Sequence, residues 1–288
     1  MCIQQLFNFQ PRTENQGYRT LIMQTAFFRI IEYLKYWGRS KNVHRIHSPF
    51  MFHLFYHVIL NRGAFKTELA ALKRTAAKHE DNSTQIKRAG IGALNTHSIQ
   101  SYGAIARRTG QTLFWREALY RIAANVKPDV ILELGTGSGI TALYLAEGSK
   151  KPLFTIEGDT AMYAMAQSLF GSNHINITSI KGMFDEVLPD LLPKFSGKIM
   201  AYIDGNHTYE ATKRYFEMIK PYIQEDSLVI LDDIYWSPGM LKAWNEIKKD
   251  NLVQQSADFY RLGMLFFRKQ QAREHFTLRT STFGIPYR

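Results

Sequence analysis

Cysteine is almost missing from this sequence of 288 residues, since Cys2 is the only one. One cysteine excludes an internal disulfide framework, a cysteine-ligated zinc site and a CxxC redox centre. Long hydrophobic runs are missing as well. The most apolar segment, residues 49–60, is short and contains His53 and His57, whereas a membrane-spanning helix needs about 20 apolar residues. The first residues do not resemble a signal peptide, so the sequence predicts a cytoplasmic protein without a transmembrane segment.

Acidic residues are scarce in the first part of the chain. Residues 1–128 contain 19 Lys and Arg against 6 Asp and Glu, whereas residues 129–288 contain 17 against 19. Such an excess is either an ordinary solvated helical surface or a surface for an acidic partner: nucleic acid, anionic lipid or an anionic small molecule. Nucleic acid is the less favoured partner, because the sequence contains no recognisable RNA-binding module.

Two kinds of apolar pattern follow one another along the chain. The first part predicts helices over residues 26–37, 49–61, 66–80 and 111–126, with a polar loop over residues 81–98. Short apolar runs then alternate with helical patterns and predict strands over residues 129–134, 153–158, 175–182, 198–204, 227–233, 252–258 and 261–268. Alternating strands and helices predict an α/β fold with helices on both faces of a parallel sheet.

A glycine-rich run, Glu133-Leu-Gly-Thr-Gly-Ser-Gly139, stands between a predicted strand and a predicted helix. Glycines allow a tight turn and a close approach to a ligand, and the N–H groups at a helix start favour an anionic group. The run is not a GxGxxG dinucleotide motif, because Ile140 stands where the third glycine would be. It is neither a Walker loop, which needs GK[ST], nor a GxSxG nucleophile elbow.

The run resembles motif I, (E/D)xGxGxG, of the class I methyltransferases that use S-adenosyl-L-methionine (AdoMet), and the resemblance extends over about residues 111–268. The family implies that Glu157, at the end of the second strand, binds both ribose hydroxyls, since one carboxylate can accept two hydrogen bonds. It places Gly182, Phe184 and Asp185 near the adenine. The residues that the resemblance assigns to AdoMet are Glu133, Gly135, Gly137, Gly139, Thr141, Glu157, Gly182, Phe184 and Asp185.

The same resemblance implies a Rossmann-like, seven-stranded, mostly parallel sheet, here with a helical N-terminal cap. The predicted organisation of the chain is a disordered tail over residues 1–22, a basic helical cap over residues 23–110, an AdoMet-dependent methyltransferase domain over residues 111–270 and a C-terminal tail over residues 271–288.

Three aspartates, Asp204, Asp232 and Asp233, end two further predicted strands, where open α/β sheets bind ligands. Carboxylates this close need a compensating cation or hydrogen-bond donor. In one interpretation Asp204 caps the next helix and Asp232 faces the methionine part of AdoMet. In the other, the three resemble the metal site of the catechol and caffeoyl-CoA O-methyltransferases and hold Mg²⁺ or another divalent cation. Asp233 departs from that family, which has asparagine there.

His207 follows Asp204 by three residues, at the position where the catechol-type family has a lysine as general base. An imidazole suits that role because its unperturbed pKa is near 6.5. The alternative is that His207 simply belongs to the first turn of the next helix. The first interpretation makes His207 and Asp204 the candidate catalytic residues.

The resemblance implies methyl transfer from AdoMet to the hydroxyl of a small acceptor. An anionic acceptor and metal assistance are the options that it leaves open. Two other functions stay open. One is an RNA or protein methyltransferase that docks through the basic cap, and the other is a non-catalytic AdoMet-binding protein. A homodimer is a further alternative that the sequence leaves open.

Overall fold

The computed structural model describes residues 16–87, 99–171, 176–282 and 285–286. Its N-terminal region is helical. The elements there are α1 (Gln16–Arg39), a 3₁₀ turn (Val43–Arg45), α2 (Pro49–Phe52), a π-helical stretch that continues α2 (His53–Ile59), α3 (Lys66–Glu80), the antiparallel pair β1 (Gln85–Lys87) and β2 (Ile99–Ser101), α4 (Tyr102–Thr109) and α5 (Leu113–Val126).

The rest of the chain alternates strands and helices. The elements are β3 (Val130–Leu134), α6 (Ile140–Ser149), β4 (Leu153–Glu157), α7 (Thr160–Phe170), β5 (Ile177–Lys181), α8 (Phe184–Leu191), β6 (Ile199–Ile203), α9 (Tyr209–Ile219), β7 (Leu228–Asp232), α10 (Pro238–Ile247), β8 (Gln255–Asp258), β9 (Leu262–Phe266), β10 (Glu274–Thr277), β11 (Ser281–Thr282) and β12 (Ile285–Pro286). The last two form a small antiparallel pair.

The central sheet has eight strands in the order β10-β8-β9-β7-β6-β3-β4-β5. Strand β9 runs antiparallel to β7 and β8, and the other neighbours are parallel. The predicted α/β class and mostly parallel sheet are confirmed, but the predicted number of seven strands is wrong. The eighth strand, β10, pairs with β8 and buries Phe276, so residues 274–277 belong to the sheet and not to a tail.

Both faces of the sheet are covered by helices, because the central strands alternate their apolar side chains between two core clusters. In β3, Ile131 belongs to the cluster beneath α5, α6 and α7, whereas Leu132 belongs to the cluster beneath α8, α9 and α10. Strands that are buried on both sides are continuous apolar runs, and for this reason their predicted positions agree closely with the structure.

The N-terminal helices share the first of these clusters. Met51, Phe55 and Ile59 are completely buried there, together with Met200 and other residues of the sheet. The end of the π-helical stretch is held by the buried Arg121 of α5, which donates hydrogen bonds to the backbone carbonyls of residues 58 and 59, each at 2.9 Å. The helical region is therefore packed into the fold.

Helix α1 begins earlier than the apolar pattern predicted. It starts at Gln16, so residues 16–22 of the expected disordered tail are helical, and residues 1–15 lie outside the described part of the chain. Helix α4 was not predicted. It begins after Ser101, whose side chain accepts a hydrogen bond from the backbone N–H of Ala104 at 3.3 Å.

Beyond α1 the chain contacts the end of β10. The backbone N–H of Lys41 donates to the carbonyl of Thr277 at 2.8 Å, and that of Arg279 donates to the carbonyl of Lys41 at 3.2 Å. The hydroxyl of Tyr36 donates to the carbonyl of Leu278. These bonds join residues 36–41 to residues 277–279. Within the described residues, no helix is both long and apolar enough to cross a bilayer.

Candidate active site

The turn between β3 and α6 is built by glycines in left-handed backbone conformations. Gly135, Gly137 and Gly139 have φ values of 99°, 53° and 77°, which L-residues with side chains rarely adopt. A Cβ at Gly135 would overlap the backbone carbonyl of Asp204, whereas a Cβ at Gly137 would meet nothing within 4 Å. The turn is therefore packed against the end of β6 at its first glycine and open at its second.

Glu157 lies beside this turn, at the end of β4. Its two carboxylate oxygens accept hydrogen bonds from the backbone N–H groups of Gly137 and Asp159, both at 2.8 Å. These bonds fix a partly exposed carboxylate next to the open side of Gly137. Met183 completes this corner, because its sulfur would lie 3.2 Å from a Cβ at Gly158. Met183 was not predicted, although it stands between the predicted residues Gly182 and Phe184.

Glu133 is buried at the end of β3. Its Oε2 accepts a hydrogen bond from the hydroxyl of Thr155 at 2.5 Å, and Thr155 also contacts the hydroxyl of Thr136 at 2.6 Å. Burial, together with the charge of Glu157, raises the pKa of Glu133 to about 8 despite the bond from Thr155. Glu133 is thus linked through Thr155 to Thr136 of the glycine turn.

The remaining residues that were predicted to bind AdoMet lie at two places. Thr141 is in the first turn of α6, and Gly182 follows β5, where its N–H donates to the carbonyl of Glu157 at 3.1 Å. Phe184 packs its ring against Tyr215, with the centroids 5.3 Å apart. Asp185 is exposed and forms two hydrogen bonds with Arg214 of α9, at 2.6 and 2.8 Å. The carboxylate of Asp185 is thus held by α9.

The carboxyl end of β6 carries Asp204 and His207. Nε2 of His207 lies 3.6 Å from Oδ1 of Asp204. Burial and the charge of Asp233 raise the pKa of Asp204 to about 7. Helix α9 is capped by Thr208, which accepts a hydrogen bond from the backbone N–H of Ala211 at 3.3 Å. The interpretation that Asp204 caps this helix is therefore wrong, and His207 precedes the helix.

Asp232 is buried at the end of β7. Its Oδ2 accepts a hydrogen bond from Nε2 of Gln111 at 2.6 Å, and the same nitrogen lies 2.8 Å from the hydroxyl of Tyr202. Burial and the charges of Asp204 and Asp233 raise the pKa of Asp232 well above its ordinary value. Gln111 was not predicted, because only the tertiary fold brings this residue, which precedes α5, to the end of β7.

An arginine faces both aspartates of β7. Nε of Arg261 lies 3.9 Å from Oδ1 of Asp232 and 3.8 Å from Oδ1 of Asp233. Although burial opposes its charge, these carboxylates raise the pKa of Arg261 above its ordinary value. Arg261 was also missed by the sequence analysis.

The outer wall of this end of the sheet comes from Trp236 and α1. The guanidinium carbon of Arg29 stands 3.7 Å from the ring centroid of Trp236, and Nε of Arg29 donates to the backbone carbonyl of Trp236 at 3.0 Å. The rings of Trp236 and His207 lie 6.0 Å apart. Helix α1 thus contributes a cation to the surroundings of His207.

The glycine turn, the carboxylate at the end of β4 and the strand order can now be compared with known proteins. Residues 132–234 match the family model described as a methyltransferase domain. The chain contains a methyltransferase domain.

Two solved structures share the fold of this methyltransferase domain and its surroundings. An SAH-bound methyltransferase from Podospora anserina is 18% identical, with a TM-score of 0.51, over 71% of this chain and 97% of that chain. A putative O-methyltransferase from Klebsiella pneumoniae is 13% identical, with a TM-score of 0.50, over 73% of this chain and 94% of that chain.

One curated protein is also similar in sequence. The histone-arginine methyltransferase CARMER from Culex quinquefasciatus is 24% identical over 193 residues, which is 62% of this chain and 31% of that protein. The chain therefore spans about a third of the length of this curated relative.

The donor side of the methyltransferase domain fits AdoMet. The open space beside Gly137 admits a ligand, and the fixed carboxylate of Glu157 next to it can accept hydrogen bonds from a vicinal diol.

The aspartates of the methyltransferase domain do not fit the divalent cation that the resemblance implied. Oδ2 of Asp232 accepts a hydrogen bond from Gln111, and Oδ1 of Asp232 faces Arg261. Oδ1 of Asp233 also faces Arg261, and Oδ1 of Asp204 faces His207. In the described part of the chain, no group of three His, Cys, Asp or Glu side chains is arranged to hold a metal ion. The compensating positive charge next to Asp232 and Asp233 comes from Arg261.

Proposed function

We propose that this chain is an AdoMet-dependent O-methyltransferase that acts on the hydroxyl of a small molecule. The observation that carries the proposal is the position of His207 beside Asp204, at the strand end that touches the glycine turn. A base at this place would lie next to the methyl group of a donor bound at the turn. When bound, AdoMet supplies an electrophilic methyl group.

Donor binding is assigned to the glycine turn and Glu157. The N–H groups in the first turn of α6 would face the carboxylate of the methionine part, and Glu157 would bind the ribose hydroxyls. Met183 and Gly182 would border the adenine. Asp185 is left out of this revised assignment because its carboxylate is paired with Arg214.

His207 would remove the proton of the acceptor hydroxyl. Because its Nε2 faces Asp204, Nδ1 is the nitrogen that would take this proton. The carboxylate of Asp204 would orient the ring and stabilise the imidazolium that forms. The protein's further contribution is alignment of the acceptor oxygen with the methyl carbon.

The acceptor is proposed to bind between His207 and Trp236, beside Arg29 of α1. The indole offers a flat apolar wall, and the positive charge of Arg29 over it favours an acceptor with an anionic group. A protein acceptor is the second candidate, and the similarity to a histone-arginine methyltransferase favours it. A cytoplasmic location, nucleic-acid binding and a homodimer stay predictions.

Incubation of the full chain with AdoMet labelled at the methyl group, in fractionated cell extract, tests the acceptor class. We expect the label in the small-molecule fraction. His207→Ala should reduce transfer by about 10²-fold or more, as for loss of a general base, and leave the Kd for AdoMet unchanged. His44→Ala, which removes an exposed histidine outside the site, is the matched control. Label in protein or RNA would refute the proposed acceptor, and full activity of His207→Ala would refute the base.

A further inference from the structure

Arg261 reaches the acidic end of the sheet because of the direction of β9. Since β9 is antiparallel to β7, with Leu262 paired to Asp232, the turn that precedes β9 lies at the carboxyl end of β7. In a wholly parallel sheet, every loop residue at this end would come directly after the carboxyl end of a strand. Because β9 is antiparallel, Arg261 reaches this end from the turn that precedes β9.

The turn that carries Arg261 is held on several sides. The N–H of Arg261 donates to the carbonyl of Phe259 at 2.8 Å, and its carbonyl accepts from the N–H of Ile234 at 3.4 Å. The preceding Tyr260 stacks on Tyr235, with centroids 4.7 Å apart and an interplanar angle of 19°. The hydroxyl of Tyr260 also donates to the carbonyl of Arg29 at 2.8 Å. The backbone of Arg261 is therefore fixed beside the carboxyl end of β7.

We propose that Arg261 is the built-in cation of the site formed by Asp204, Asp232 and Asp233, so that the site holds no divalent metal and methyl transfer does not need one. A divalent ion bound to Asp232 and Asp233 would stand next to a guanidinium of the same sign, and this repulsion opposes its binding. The amide of Gln111 already occupies Oδ2 of Asp232. The statement about methyl transfer rests on the proposed function, whereas the statement about metal binding does not.

Binding of Mn²⁺ to the full chain, measured by the electron paramagnetic resonance signal of the free ion, tests the proposal without any activity assay. We expect no stoichiometric binding to the wild type. Arg261→Ala removes the competing charge and leaves the aspartates uncompensated, so its affinity for Mn²⁺ should rise at least about tenfold. Adding Asp232→Asn to this variant should remove the gain.

Two further variants serve as controls. Arg268→Ala removes an arginine that pairs with Asp226 beyond the other end of β9, and it should gain no Mn²⁺ binding. Arg261→Lys keeps the charge and should behave as the wild type. Arg261→Gln removes the charge but keeps a long polar side chain, so it should gain Mn²⁺ binding and preserves the test if Arg261→Ala does not fold. Stoichiometric Mn²⁺ binding by the wild type would overturn the proposal, and so would the absence of any gain in folded Arg261→Ala.

Activity, once an acceptor is found, gives a separate measurement. Transfer by the wild type should be unchanged in EDTA. Loss of transfer in EDTA with recovery in Mg²⁺ would overturn the metal-independence of the reaction and leave the proposed methyl transfer intact. Absence of transfer under every condition would instead count against the proposed function, and the Mn²⁺ measurement would still decide whether Arg261 excludes the metal.

Discussion

Gly135 and Gly137 both adopt positive φ, yet only Gly135 lacks room for a side chain. Gly135→Ala should destabilise the fold by about 3 kcal/mol or more, because overlap with the carbonyl of Asp204 adds to the backbone strain. Gly137→Ala should cost only the strain, about 1–2 kcal/mol, but should weaken AdoMet binding because the methyl group enters the ligand space. Urea unfolding and calorimetric titration measure the two effects.

Each of these two variants is the matched control for the other, since both introduce one methyl group in the same turn. Equal stability of both proteins would contradict the packing described for Gly135. Unchanged AdoMet affinity in a folded Gly137→Ala protein would contradict the position of the donor.

The buried carboxyl of Glu133 makes stability depend on pH. Its folded-state pKa of about 8 lies above the ordinary value, so the folded state binds the proton more tightly than the unfolded state. The contribution of Glu133 to stability is therefore most favourable in acid and falls as the pH rises from about 4.5 to about 8. Glu133→Gln, which stays neutral, should become more stable relative to the wild type over this interval, by up to about 4 kcal/mol.

Urea unfolding of the ligand-free proteins at several pH values measures this difference. Glu210→Gln, at an exposed position of α9, should show no comparable trend. A difference between Glu133→Gln and the wild type that stays constant from pH 5 to pH 8 would show that Glu133 ionises normally.

At the residue scale, the sequence marks the glycine turn and Glu157 more clearly than the residues around Asp232. The glycine turn and Glu157 are local features, since each lies at a strand end that the apolar pattern marks. Gln111 and Arg261 act on Asp232 from distant segments. No local pattern marks them, because their position depends on which strands are neighbours and on the reversed direction of β9.

Helix α4 connects the N-terminal region to the donor turn. The hydroxyl of Tyr102 donates to the carbonyl of Ser138 at 2.6 Å, inside the glycine run, and Nε2 of His79 in α3 contacts the same hydroxyl. Tyr102→Phe keeps the ring and removes this bond, so the turn should be less well held. We expect the Kd for AdoMet to rise about fivefold to tenfold, the equivalent of one hydrogen bond.

Calorimetric titration of AdoMet into the variant checks this effect. Tyr163→Phe is the matched control, because the hydroxyl of Tyr163 accepts a hydrogen bond from Gln167 on the surface of α7. If Tyr102→Phe binds AdoMet as tightly as this control, α4 has no part in positioning the turn.

At the element scale, the elements that the sequence predicts best are those with strong apolar patterns. Helix α3 was predicted with its observed bounds, and the strands β3 to β9 lie within their predicted ranges. Strand β10 and helix α4 were missed. The four residues of β10 contain one buried apolar side chain, Phe276, and α4 is a short helix of eight residues that contains a glycine.

At the scale of the whole molecule, the N-terminal helices and the sheet form a common core. Phe55 is completely buried against this core, whereas Phe27 on α1 is 66% exposed. Phe55→Ala should therefore destabilise the whole protein by about 3–5 kcal/mol, and Phe27→Ala should have little effect. Differential scanning calorimetry should record one cooperative transition that moves as a unit to lower temperature.

A second transition that stays in place in Phe55→Ala would mean that the methyltransferase domain unfolds independently of the helices. That result would support the predicted boundary of a separate cap at residue 110. With one transition, removal of the N-terminal helices would disrupt the fold, and the role of this region in acceptor binding would have to be tested by point substitutions.

The bonds between residues 36–41 and 277–279 also set an order of events during translation. Tyr36 and Leu278 are 242 residues apart, and a ribosome adds about 5–20 residues per second. The docking site of α1 is thus synthesised roughly 10–50 s after α1 itself. During that interval Tyr36 has no native partner, so this side of α1 stays open to chaperone binding while the rest of the chain is synthesised.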